Sequence, residues 1–399
     1  MSPPAEKPVL QQIRDLLPRA ASPSLVFPPA KFAVVDGSVL LEEERFELFG
    51  HGFFYPIKIG DVYDGRFQVL GNLALEPRRP SGWLATSSTE HTYVALKIFA
   101  RDTRAGDDKM AENEFAMYEI VRKGKRSHPG YHHVPKALEL FKLEGPGGGI
   151  HWCLVQKPMA SRLLGESLLK GVIRHVLLAL DYLHTECKLV HTDIKLDNIL
   201  FKLPKQEGTA TRVLDEFAQN EMKSPSPGKI VNGMPVYRTR LLGAVRDTGR
   251  TVLSDLGAAV PGDVKRTEQA QPDIYRAPEI WDMVEGRHLF KGHDPERNGY
   301  STHAHLAEVV ALLGPPPLDL LKKGRRSRDF FTADGQWQAG IEIPDMTLEN
   351  SIKEIGGEKK ASLLAFVKGM LQWRPEDRKT AAQLLEGPWL IGEYGIARR

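Results

Sequence analysis

The chain has 399 residues, 41% hydrophobic and 26% charged, with a formal net charge of +3. That length exceeds one small domain and suits two lobes, and the near-balanced charge argues against a nucleic-acid binder that relies on a broad basic surface. Cys153 and Cys187 are the only cysteines, which argues against a disulfide framework or a zinc cluster and implies a reducing compartment. No apolar stretch is long enough to span a bilayer and the N-terminus lacks an apolar signal core, so the expected location is the cytoplasm, the nucleus or both.

Residues 1–50 read as an N-terminal extension, partly disordered, with its first 30 or so residues rich in Pro, Ser and Ala. Within it, "VLQQIRDLLPRA" can form one or two helical turns; Glu6 and Asp15 interrupt the basic character that a mitochondrial presequence needs. From about residue 52 the pattern turns strand-like. "GRFQVLGNLAL" (65–75) and "HTYVALKIFA" (91–100) carry β-branched and aromatic residues between turn signals. "DDKMAENEFAMYEIVRKG" (107–124) reads as a helix, opened by Asp107 and Asp108 and closed by Gly124. "KALELFKLEG" and "GIHWCLVQ" follow as two strands around a Pro- and Gly-rich turn.

After a connector at "KPMA" (157–160) the character changes. "SLLKGVIRHVLLALDYLHTE" (167–186) sets Val172, Ile173, Val176, Leu177, Leu180 and Leu183 on one helical stripe, the pattern of a buried core helix. The later chain is mainly helical, save for a polar insert at 203–249 expected to be a loop excursion with a strand or two, and a hairpin-like piece at 328–345 packed by Phe330, Phe331 and Trp337. "KKGRRSR" (322–328) holds five basic residues in seven and reads as a solvated loop. The order is α+β: a β-rich lobe at 51–156, then a larger helical lobe at 157–395 carrying the insert.

One string stands out. "KLVHTDIKLDNILF" (188–201) packs charge between residues that the core wants: Leu189, Val190, Ile199 and Leu200. Phosphoryl transfer from ATP needs a carboxylate to orient a hydroxyl, cations to neutralise phosphate charge, and oxygen ligands for Mg²⁺. Asp193 is the candidate base, Lys195 can reach the transferring phosphate, and Asn198 can hold Mg²⁺ through its amide oxygen. The apolar flanks then form short strands that hold the loop rigid. Taken alone, each residue has a plainer reading: Asp193 as a turn or cap residue, Asp255 as part of a β-turn, Glu114 as a solvent-facing helix residue, Lys97 as a strand-edge charge.

The string "HTDIKLDNIL" resembles the catalytic loop of eukaryotic protein kinases, H-R-D-x-K-x-x-N, with Thr192 at the usual Arg. "HTDIK" and "FYPIKIGDVYDGRFQVL" (54–70) are similar to the SR-protein kinases, Ser/Thr kinases of Arg-Ser-rich splicing factors. The resemblance spans roughly residues 50–395 and implies a two-lobed kinase fold, ATP and Mg²⁺ as cofactors and a protein substrate. It implies no direct nucleic-acid or membrane contact, and a monomer. "VALKIF" matches the third-strand motif, so Lys97 would contact the ATP phosphates with Glu114 as its ion-pair partner. "SDLGAAV" stands where the family has D-F-G, so Asp255 would bind Mg²⁺. Adenine would lie between Leu73, Ala95 and the connector from Lys157 to Met159. "YRAPEI" resembles the A-P-E motif, whose Glu279 would pair with Arg378.

Two departures accompany the matches. The glycine-rich phosphate lid is replaced by "GNLALEPRRPSGWLATSS" (71–88), where Pro77 and Pro80 donate no backbone hydrogen bond, and Arg78 and Arg79 either contact phosphate or are solvated. After A-P-E, roughly twenty residues of the family pattern are missing. A shortened helix around 279–286, with exposed apolar surface beside it, is expected there. These departures favour an alternative: a catalytically impaired pseudokinase serving as a binding scaffold.

Overall fold

The computed structural model describes residues 25–27, 34–46, 49, 52–73, 82–101, 109–145, 148–160, 166–203, 209–242, 249–263, 279–353 and 355–392. The chain forms two compact units. The first comprises Met1–Ala111, Ala137–Met159 and Leu203–Asp247. The second comprises Glu112–Lys136, Ala160–Lys202 and Thr248–Arg399.

The first unit is built on an antiparallel sheet of β1 (Val62–Tyr63), β2 (Phe67–Leu73), β3 (Gly82–Ser87), β4 (Thr92–Ile98), β5 (Ala137–Glu144) and β6 (Ile150–Gln156), in the order β1-β2-β3-β4-β6-β5. Alternation along each strand decides its two faces. Val94, Leu96 and Ile98 of β4 join Trp83, Ala85, Cys153 and Val155 in one core cluster with Ile57, Tyr63, Phe67 and Val69. Ala95 and Lys97 belong to the opposite face. The strand β3 lies within the segment read as the phosphate lid, whose residues 74–81 fall outside the described ones.

The insert belongs to this unit and holds more order than a loop with strands. Its helix α2 (Thr209–Lys223, α1 being Lys109–Lys123) places Leu214, Phe217 and Ala218 against Leu70, Leu73 and Leu84 of the sheet. A Cβ on Gly71 would lie 2.9 Å from the Phe217 ring, so the helix sits where only glycine leaves room. Two polar ties fix it. The Tyr93 hydroxyl donates to Asp215, and buried Glu221 accepts from Arg240 and from the Ser226 backbone N–H and hydroxyl. The hairpin β10 (Gly228–Val231) and β11 (Met234–Tyr237) turns at Asn232-Gly233, both at positive φ, 52° and 80°. That is the two-residue turn whose twist matches paired strands.

In the second unit, helix α3 (Glu166–Thr185) supplies the core. Val172, Ile173, Val176, Leu177 and Leu183 are buried, and Ala179 and Tyr182 join them, whereas Leu180 is only half-buried. The Tyr182 hydroxyl donates to the Val121 carbonyl at the end of α1. The 3₁₀ turn Pro129–His133 crosses α3 so closely that a Cβ on Gly130 would fall 1.9 Å from the Leu178 carbonyl. Helix α4 (Glu279–Glu285) is seven residues long, in keeping with the expected short helix. The expected exposed apolar surface is absent among the described residues, however: Trp281, Met283, Leu289 and Phe290 are all buried. Phe331 and Trp337 pair across the 328–345 excursion, with ring centroids 5.2 Å apart.

Candidate active site

Two short ladders frame the charged string. The strand β8 (Leu189–Val190, β7 being Met159–Ala160) pairs with β13 (Val260–Pro261), and β9 (Ile199–Lys202) pairs with β12 (Thr251–Leu253). Residues 191–198 thus run between β8 and β9, and residues 254–259 between their partners. The ladders bring both loops together from both ends. Burial supplies the energy for this frame: Leu189, Ile199 and Leu200 are at most 5% exposed. Val190 departs from the expectation and is 41% exposed, because its side chain alternates away from the buried Leu189.

Side chains complete the join. The Thr192 hydroxyl donates to the Ala258 carbonyl at 2.7 Å. The Ser254 N–H donates to the Asn198 carbonyl at 2.8 Å. The Asp193 N–H donates to His191 Nδ1 at 3.3 Å, which leaves Nε2 to carry the proton and donate to the Ser254 carbonyl at 3.0 Å. Thr192 and Asp255 both sit in the left-handed region, at φ 63° and 64°. Such conformations cost energy outside glycine and persist where surrounding contacts impose them.

Asp193, Lys195 and Asn198 form one cluster. Asn198 is fully buried and donates its amide to the Asp193 carbonyl at 2.7 Å and to Asp193 Oδ2 at 3.0 Å. Lys195 Nζ lies 3.1 Å from the same Oδ2. With its nitrogen committed twice, Asn198 has its Oδ1 buried without a hydrogen-bond partner. A buried acceptor in that state is costly unless a cation or donor reaches it. Asp255 accepts the Gly257 N–H at 3.2 Å, and buried Glu114 flanks the same glycine: a Cβ there would lie 3.0 Å from Glu114 Oε2 and 3.2 Å from Asp255 Oδ1. An amide oxygen and a carboxylate from two joined loops are hard oxygen donors, and Mg²⁺ is commonly held by one or two such groups plus substrate phosphates. The donor set therefore fits Mg²⁺. No group of three or more His, Cys, Asp or Glu able to hold a metal occurs among the described residues.

The remaining site candidates lie on the first unit. Lys97 sits in β4 opposite Gly82 and Leu154, its Nζ 5.1 Å from the Phe99 ring centroid. Ala95 is buried opposite Leu84 and Gln156. Lys157 is exposed and Met159 buried. Leu73, named for the adenine contact, is 1% exposed and packs among Leu214, Phe217 and Ala218 of the insert, company that the sequence did not suggest. The side chain of Glu279 falls outside the described residues, and Arg378 donates to the Gln372 carbonyl. The anchoring roles of His191 and Thr192 were missed; the signal was their place immediately before the candidate base, where a loop needs fixing.

A second polar group backs the β9·β12 ladder. His133 bonds the Thr251 carbonyl through Nδ1 at 2.8 Å and stacks on His175 with centroids 4.2 Å apart. Burial, seconded by the neighbouring His133, pushes the His175 imidazole down to about 4.

No family model matches the chain. Among curated proteins, it is 36% identical to a serine/threonine protein kinase of Aspergillus fumigatus, over 94% of this chain and 97% of that protein. It is 27% identical to the serine/threonine-protein kinase SRPK of Physarum polycephalum, over 88% and 91% of the two chains. It is also 24% identical to protein kinase dsk1 of Schizosaccharomyces pombe, over 90% and 88%. With the motifs in kinase order, the sheet-based first unit and the mainly helical second, this likeness over nearly full length makes the chain a member of the serine/threonine protein kinases, akin to the SR-protein kinases.

Proposed function

We propose that the chain transfers the γ-phosphoryl group of ATP to Ser or Thr hydroxyls of a protein substrate. The observation that carries this reading is the clamp of Asn198 on Asp193, which aims one carboxylate and leaves one buried amide oxygen for a cation. Asp193 accepts the proton of the substrate hydroxyl. Its carboxylate is held by Asn198 and Lys195, so it need not reorganise as the hydroxyl approaches. Lys195 stabilises the charge on the transferring group. Asn198 and Asp255 would hold Mg²⁺, which when bound neutralises phosphate charge. Lys97 orients the α- and β-phosphates, and the base lies near Ala95, Leu73 and the connector from Lys157 to Met159.

The substrate class follows from kinship. Relatives named as SRPK and as SRSF protein kinases point to Arg-Ser-rich proteins such as splicing factors. The competing reading is a pseudokinase scaffold, favoured by the seven-residue α4 and by the burial of Leu73 under the insert. Thermal melting with Mg-ATP separates the two in part. A nucleotide-dependent rise in Tm is expected of the enzyme, and no stabilisation at millimolar Mg-ATP would defeat it.

A further inference from the structure

Residues directly opposite one another in paired antiparallel strands share a face of the sheet. Gly71, Leu84 and Ala95 stand in one such row across β2, β3 and β4, and Leu73, Gly82 and Lys97 stand in the next. Leu73 and Leu84 therefore lie on the face that carries Ala95 and Lys97, away from the cluster of Val94, Leu96 and Ile98. The insert helix α2 packs on this same face. Its Leu214, Phe217 and Ala218 cover Leu70, Leu73 and Leu84, which are at most 1% exposed. The Phe217 ring takes up the room over Gly71. Tyr93, two residues before Ala95 and on its side of the strand, donates its hydroxyl to Asp215. A purine seated against Leu73 and Ala95 needs the space that these side chains fill, so the helix and the base cannot hold the face together.

We propose that α2 is an autoinhibitory plug: docked on the sheet it excludes ATP, and ATP binds once the helix leaves. The inference rests on the nucleotide-binding reading above. It reconciles the burial of Leu73 with catalysis, because the face is covered at rest and not lost. The helix is suited to leaving as a unit. Val213, Leu214, Phe217, Ala218 and Glu221 form its buried stripe, while Arg212 and Glu216 face outward and pair with each other at 3.4 Å. Glu221 is held by Ser226 and Arg240 of the insert itself, and the Arg240 N–H donates to the Asn72 carbonyl at 3.0 Å. The C-terminal end of α2 thus keeps its anchor on β2 while the rest swings away. Exclusion is reciprocal: whatever loosens the helix tightens ATP binding, and ATP loosens the helix. The apparent Kd for ATP is the intrinsic value divided by the fraction of molecules with the face open.

The test uses the full chain and Mg-ATP. Isothermal titration gives Kd for the unaltered protein, Asp215→Ala and Phe217→Ala, neither residue belonging to the candidate active site. Asp215→Ala removes one tie, and ATP should bind about fivefold more tightly, the scale of one lost hydrogen bond to a carboxylate. Phe217→Ala should tighten it further. Hydrogen exchange on the unaltered protein supplies a readout that a merely structural helix would not move: the backbone amides of Thr209–Lys223 should exchange about tenfold faster or more at saturating Mg-ATP than without it. Affinity in Asp215→Ala no tighter than in the unaltered protein would overturn the proposal, as would unchanged or slower exchange of α2 at saturation; both results leave nucleotide binding standing. Failure of all three proteins to bind Mg-ATP would overturn the nucleotide-binding reading itself, and this inference with it. Should Phe217→Ala not fold, Asp215→Ala and the exchange measurement decide.

Discussion

Asn198 donates its side-chain amide twice to Asp193, at 2.7 Å to the carbonyl and 3.0 Å to the carboxylate. One residue thereby orients the candidate base and keeps its own oxygen buried and available. Asn198→Ala removes both functions. Phosphotransfer should fall on the order of 10²-fold, and the Mg²⁺ concentration for half-maximal rate should rise. Titrating Mg²⁺ against rate separates this from a purely structural role, which would lower Tm and leave the metal requirement unchanged.

The insert helix should contribute to the stability of the first unit. Phe217 is 3% exposed and packs against Gly71, Leu70 and Leu73. Phe217→Ala should cost about 3–5 kcal/mol, the usual range for emptying a buried phenylalanine site. Urea unfolding followed by tryptophan fluorescence and circular dichroism reads it. A cost below about 1 kcal/mol would mean that the insert is loosely attached.

How much of this was legible beforehand divides along physical lines. Period-two and period-3.6 patterning revealed the strands of the sheet and the core helix, because there the hydrophobic face is written in the spacing. The string 188–201 stood out because charge in an apolar frame needs a reason, and the structure gathers its Asp193, Lys195 and Asn198 into one cluster. The insert was read only in part: a strand or two was expected and is present, and its helix was not expected. Its helix is largely polar, so Leu214, Phe217 and Ala218 read as scattered apolar positions until the sheet supplies their partner. Its hairpin had a signal in Asn232-Gly233 that went unread. The burial of Trp281 and Met283 was also illegible, since it depends on neighbours remote in sequence. Of the site, sequence order could name Asp193 and Asn198 but not their mutual hydrogen bonds, which depend on the two ladders.

Gly130→Ala tests the tight crossing on α3. The added methyl would fall 1.9 Å from the Leu178 backbone oxygen and 2.6 Å from Tyr182 Cβ, neither of which can rotate away. A loss of about 3 kcal/mol is expected in chemical denaturation, at the upper end for overpacking. An unchanged midpoint would place the turn farther from the helix than described.

Stability should also depend on His175. Its imidazole is held neutral, pushed down to about 4 from an unfolded value of 6.5. The unfolded chain therefore binds the extra proton first. The stabilisation is fully present above pH 6.5 and is lost as pH falls toward 4. For a half-buried group the loss should be roughly 1–2 kcal/mol. Urea midpoints across that pH range, compared with His175→Gln, isolate the contribution, because the variant should lack this part of the slope. Identical slopes would assign it to other groups.

Transfer of labelled phosphate from ATP to an Arg-Ser peptide, with Asp193→Ala beside the unaltered protein, tests the central claim most directly. The account predicts measurable incorporation on serine, with a fall of 10²-fold or more in Asp193→Ala, assayed at a temperature where the variant's melting curve shows it folded. Incorporation equal in the two proteins, or none in the unaltered protein when it demonstrably binds Mg-ATP, would contradict it.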